Sequence, residues 1–309
     1  MSEQEVEVEA PTPYRNLWVP LVVVPALIVM VVVLIFVLFS GIVGSEKTPR
    51  ENLDRMLRGG QNESQQAAFN LVQQTVAAWE AEAGGRESEW DIDEGFLPDL
   101  HRGWEETVER EVTQRVVLAI LMAGLDDPAG IEHLAELARM DETLDPDGAH
   151  RFSIVHSLSS LGPHLSEKDR ERAAEVAVSM LDSSDPGLVG VAVVALQRLP
   201  SPITLPALES MLQSGSLELR GNAALAMAEL GSSGGEGVLL EMLDLGPYEA
   251  ERAADPTKWS RQETISESRI RALETLVALG SKLPADQTER LRKDADLNVR
   301  GAASRLLQP

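Results

Sequence analysis

A pattern that returns every 31 residues constrains this chain more than any other feature of its sequence. DPGLVGVAVVALQRL at 185–199 matches SLELRGNAALAMAEL at 216–230, and Met180-Leu181, Met211-Leu212 and Met242-Leu243 recur at the same interval. Looser copies are DGAHRFSIVHSLSSLG (147–162), SESRIRALETLVALG (266–280) and DLNVRGAASRLL (296–307). A unit this short cannot bury its own apolar faces. Copies of it must stack, each covering the next.

The spacing inside each copy is helical. Leu188, Ala192, Leu196 and Leu199 form one apolar stripe, and Leu219, Ala223, Met227 and Leu230 form its counterpart. A second amphipathic segment precedes each: Leu205, Leu208 and Leu212, then Leu239, Met242 and Leu243. Asp127-Pro128 and Asp185-Pro186 read as helix starts, an N-cap followed by proline in the first turn. Gly162, Gly231 and Gly280 stand where left-handed caps would end helices. The unit is two helices and two turns, so the expected fold is all-α. Aromatic content of only 4% suits helices packed through small Ala and Leu contacts.

These second-helix residues carry a resemblance. Asp185, Val189, Ala192 and Leu196, then Arg220, Ala223 and Leu230, then Asp296, Val299, Arg300 and Ala303 resemble the signature of HEAT repeats. The match is to the short bacterial type of phycobilisome lyase-like repeat proteins, over about residues 48–308. The resemblance implies an α-solenoid of about seven HEAT-like helix pairs. It also implies that polar side chains form a ladder along the inner helices. Arg151, Arg220, Arg269 and Arg300 are the residues so placed, with Asp147–Arg151 and Asp296–Arg300 as i,i+4 pairs; a structural ladder and a partner-binding row are both open readings.

Ahead of the repeats lies a run without charge, Asn16 to Ser45, whose apolar part, Leu17–Val43, is 27 residues long. At about 1.5 Å per residue it crosses a hydrocarbon core of about 30 Å. The acidic leader and the length of the run disagree with a cleaved signal peptide. The expected organisation is an acidic tail at 1–16, a transmembrane helix at 17–43 and a solenoid at 44–309. Lys47, Arg50, Arg55 and Arg58 follow the span while only Arg15 precedes it. That asymmetry puts the C-terminal domain of a single-pass protein in the cytoplasm.

Net charge is −23, of which residues 1–45 carry −3 and the repeat region −20. A surface of that sign repels nucleic-acid phosphates and anionic headgroups, so the expected partners are proteins. Cysteine is absent. The five histidines lack metal spacing, and no phosphate loop or nucleophile elbow appears; no cofactor, metal or catalytic residue is expected.

Two details test the stacking. Gly190, Gly221 and Gly301 share one position in three copies, where a missing side chain would let a neighbouring helix approach. Two insertions, 84–99 and 246–262, break the period and carry Trp90, Phe96, Tyr248 and Trp259. These aromatics are either partner anchors or plugs folded back onto the stack. The functional expectation is a membrane-anchored interaction scaffold or adaptor serving a membrane complex such as a transporter. The alternatives are an enzyme or enzyme subunit of the HEAT-containing lyase-like kind, and an assembly chaperone.

Overall fold

The chain is seen in a computed structural model that describes residues 47–307 except 91, 93, 110, 141 and 142. The described residues form α-helices and two 3-10 turns, with no strand. The helices are α1 Pro49–Arg58, α2 Gln61–Ala83, α3 Leu97–Glu106, α4 Val112–Gly124, α5 Pro128–Leu137, α6 Ala149–Leu161, α7 Glu167–Ser179 and α8 Pro186–Gln197. They continue as α9 Thr204–Met211, α10 Leu217–Glu229, α11 Glu236–Met242, α12 Gly246–Ala254, α13 Gln262–Ala278, α14 Ala285–Arg292 and α15 Leu297–Leu306. The predicted membrane span, residues 17–43, lies outside the described residues. Among the described residues no helix is long and apolar enough to cross a membrane.

Helices α2, α4, α6, α8, α10, α13 and α15 form a continuous row, each in contact with the next. The other helices flank this row, with α5 against α4, α7 against α8, α9 and α11 against α10, and α14 against α15. Alternation of this kind is consistent with an α-solenoid. Helices α4 and α8 of this row are apolar because neighbours cover them on several sides. In α8, Leu188, Val189, Ala192, Val193, Ala195 and Leu196 are all buried, each full burial of a large aliphatic stabilising the fold by about 1.5–3 kcal/mol.

The core is three clusters rather than one unbroken seam. The first lies around Met56, Leu71, Phe96 and Leu118, the middle one runs from α4 to α10, and the last from α10 to α15. Trp104 packs against the first two and Leu212 against the last two. Helix α10 serves both sides: Ala223 and Met227 face the middle cluster, Ala224 and Leu225 the last.

Helix ends follow local chemistry. Asp127 and Asp185 cap α5 and α8, accepting from Ala129 N at 3.0 Å and Gly187 N at 2.9 Å. Gly231 and Gly280, at φ +79° and +71°, end α10 and α13 in paired 6→1 and 5→2 bonds, such as Ser232 N to Met227 O at 2.9 Å. Gly162 differs. Its φ is −44° and the chain continues into a 3-10 turn, while a Cβ there would sit 2.4 Å from the Arg198 carbonyl oxygen. It is a close-approach glycine and not a left-handed cap.

The shared glycine position also needs correction. A Cβ on Gly221 would meet the Met242 thioether at 2.8 Å, but one on Gly190 meets nothing within 4 Å and one on Gly301 only the Arg305 guanidinium at 3.8 Å. Close helix approach occurs elsewhere, at Gly130, where a Cβ would lie 2.2 Å from the Ala123 backbone nitrogen of α4.

Candidate interaction surface

The arginine row resolves into ties within the stack. Arg151, Arg220 and Arg300 each turn a guanidinium back to the carbonyl six residues earlier, at Asp145, Ser214 and Asp294, over 3.0, 2.8 and 2.9 Å. The expected i,i+4 pairs are absent for a local reason. Asp147 and Asp296 are already bound by helix-start N–H groups, those of Ala149 and of Asn298 and Val299. The arginines therefore reach past them to the turn.

Acidic partners complete the ties. Arg220 meets Glu241 at 2.7 Å. Arg269, only 3% exposed, donates to Leu243 O at 2.8 Å and pairs with Asp294. Asp145, fully buried, receives Arg151 Nε at 3.0 Å, the backbone N–H groups of His150 and Arg151, and the His150 ring at 3.1 Å. Burial works against its charge, but these donors outweigh it and hold the carboxyl below the usual range.

The insertion aromatics divide. Tyr248 is fully buried, its hydroxyl donating to Met242 O at 2.9 Å. Burial pushes its phenol well above the ordinary value, opposed by Arg269. Trp259 is half-buried and meets Tyr248 edge-on at 4.7 Å between ring centroids. Its indole donates to Glu251 at 2.8 Å, and the other Glu251 oxygen accepts from Leu217 N. The second insertion is thus a plug whose carboxylate caps α10, whose own N-cap residue, Ser216, makes no side-chain cap bond. Phe96 is likewise fully buried, against the first cluster. Neither Phe96 nor Tyr248 offers side-chain surface to a partner. Trp90 is half-buried in the first insertion, in a turn whose Ser88 hydroxyl bonds its backbone at 3.0 Å. Residues 97–99 of that insertion belong to α3.

Sequence reasoning missed a stacked group at the join of the first and middle clusters. The Trp104 ring lies 3.7 Å from His133 and 4.1 Å from the Arg115 guanidinium carbon. Two planar groups that close cannot share one face, so Trp104 is sandwiched between α4 and α5. Burial lowers the pKa of His133, and Arg115 and His101 add to this against Glu136. Arg115 Nε has no hydrogen-bond partner, and the guanidinium lies over the Trp104 ring. The signal was present: aligning Leu125-Asp126 with Leu230-Gly231 puts Arg115 at the Arg220 position. Asp126 takes the cap glycine's place at φ +58° and hides the match.

Beside the sandwich an open groove is lined by Trp104, Thr107, Val108, Arg115 and Leu144, bordered by Glu105 and Glu109. Among the described residues no group of three or more acidic or histidine side chains is arranged to hold a metal ion.

No family model and no curated protein matches this chain. Solved structures similar to it include two crystal structures of engineered proteins, both Northeast Structural Genomics Consortium targets. One is 16% identical with TM-score 0.40, covering 84% of this chain and 94% of its own. The other is 17% identical with TM-score 0.38, covering 82% and 76%. Likeness at that level carries no argument about what this chain does.

Proposed function

We propose that the chain is a single-pass, membrane-anchored, non-catalytic scaffold of about seven HEAT-like helix pairs that binds a protein partner at the cytoplasmic face of the bilayer. The observation that supports it is the join between tether and stack. The uncharged run ends at Ser45, and the carbonyl of Lys47 is already fixed by Gln74 Nε2 at 2.6 Å, itself bonded to the buried Asn52. A domain joined to its span by so few residues is held at the membrane surface. Its effective concentration for neighbouring membrane proteins is then high, and modest affinity suffices. The arginines nearest the span are held by acids of their own domain: Arg50 by Asp99 at 3.2 Å, Arg55 by Glu63 at 2.6 Å and Arg58 by Asp54 at 3.1 Å. Their charge is locally balanced by these acids, which weakens the pull towards anionic headgroups and leans towards protein over lipid as the partner.

The test is in-membrane photo-crosslinking of the full chain, with the photoreactive residue placed on the solenoid. A scaffold yields one defined membrane-protein adduct. Adducts that are only lipid, or protease protection that puts residues 46–309 on the extracytoplasmic side, remove the reading.

A further inference from the structure

The acidic excess of this molecule is unevenly spread. Helices α4, α6 and α8 of the continuous row contain no aspartate or glutamate, whereas the flanking α5 and α7 carry Glu132, Glu136, Glu167, Asp169, Glu171 and Glu175. On this neutral stretch two large apolar side chains stand in solvent: Phe152 of α6, 45% exposed, and Val194 of α8, 48% exposed. They belong to one patch. Helices α6 and α8 are in contact, Phe152 stacks on His156, and His156 holds in α6 the repeat position that Val194 holds in α8. Gly190 stands at the Phe152 position in α8, with open space where a side chain would be.

Along one border of the patch run the turns that lead into α6 and α8, with exposed Asp147, Asp182 and Asp185, and the first turn of α10, with exposed Glu218. The basic residues of that border, Arg151 and Arg220, are held by Asp145, Ser214 and Glu241. The border therefore presents net negative charge beside an uncharged apolar strip.

We infer that the Phe152–Val194 face of α6 and α8 docks a juxtamembrane segment of another membrane protein, apolar along one side and flanked by lysine or arginine. This rests on the scaffold reading above. Charge complementarity selects the occupant: cytoplasmic segments next to transmembrane helices are enriched in Lys and Arg, and the tether holds an acidic domain among them. The apolar strip supplies the anchor contacts and the acidic turns supply orientation and rate of encounter.

The experiment uses the full chain in phosphatidylcholine nanodiscs. The probe is a short synthetic helix with leucine on one face and lysine beside it, its affinity read by fluorescence anisotropy against empty nanodiscs. Phe152→Ala and Val194→Ser should each weaken binding about tenfold with no change in Tm. Asp182→Asn with Glu218→Gln should weaken it most at low salt, while Phe69→Ala, at an exposed site on α2, should change nothing. Replacing the probe's lysines by glutamate, or its leucines by serine, should abolish it. Equal binding by all variants, or hydrogen-exchange protection away from α6 and α8, overturns the inference. So does a concentration-dependent dimer lost in Val194→Ser, which assigns the face to a second copy. If the photo-crosslinked partner persists in Phe152→Ala membranes, the scaffold reading stands and this face is wrong; if no partner is found in any variant, the scaffold reading itself fails.

Discussion

Gly190, Gly221 and Gly301 look alike in sequence and differ in what surrounds them. Gly190 and Gly301 have room for a side chain, so alanine there should restore helix propensity and stabilise by about 0.5–1 kcal/mol each. Gly221→Leu should instead drive the side chain into Met242 and destabilise by about 1–3 kcal/mol. Urea midpoints of the three variants check this; a gain in all three would show that Met242 yields freely. Asp145 gives the clearest pH dependence. Its carboxyl is held below the ordinary value by Arg151 and two N–H groups, so the unfolded chain takes up its proton first. The stabilisation is present above the unfolded pKa of about 3.9 and is lost as pH falls through the lower folded value. Asp145→Ala should cost about 3 kcal/mol at neutral pH and flatten the loss of stability as pH falls below about 4. A parallel titration in the variant would assign the acid lability elsewhere.

At the scale of elements, the insertion around α12 is a wedge that closes the last cluster, and Tyr248 is its point. Tyr248→Ala should destabilise by about 3–5 kcal/mol through an unfilled cavity. Tyr248→Phe removes only the bond to Met242 O and should cost about 1 kcal/mol. Trp259 fluorescence reports the same event, because its ring rests on Tyr248 with the backbone at φ +50°. An unshifted emission maximum in Tyr248→Ala would separate the two rings. In GPYEAERAADPTKWSRQ, Pro247 and Glu249 in the first turn and Arg252 in the last are helix signals, but nothing in the segment announced where the helix packs. Its single large apolar contact is tertiary, and its acidic residues looked like those of any solvated loop. By contrast Asp185-Pro186, Asp127-Pro128 and the glycines at 231 and 280 were legible because caps and left-handed turns depend on the residues beside them.

The whole molecule carries 50 acidic against 27 basic residues, and the paired arginines leave the remaining carboxylates to repel one another. Raising sodium chloride from low concentration towards 1 M shortens the screening length to about 3 Å and should raise Tm, because self-repulsion weakens more than the few surface pairs do. A fall in Tm would show that the arginine ties dominate. The 31-residue period, the helical spacing and the cap residues determined by themselves that this chain forms paired helices which must stack, since no single unit has apolar surface enough to close on itself. Only the tertiary structure decided that the arginines tie turns, that Phe96 and Tyr248 are buried, and that Phe152 and Val194 are not. Each of those outcomes is set by which neighbour covers a side chain, and neighbours from different repeats meet only after the stack has formed.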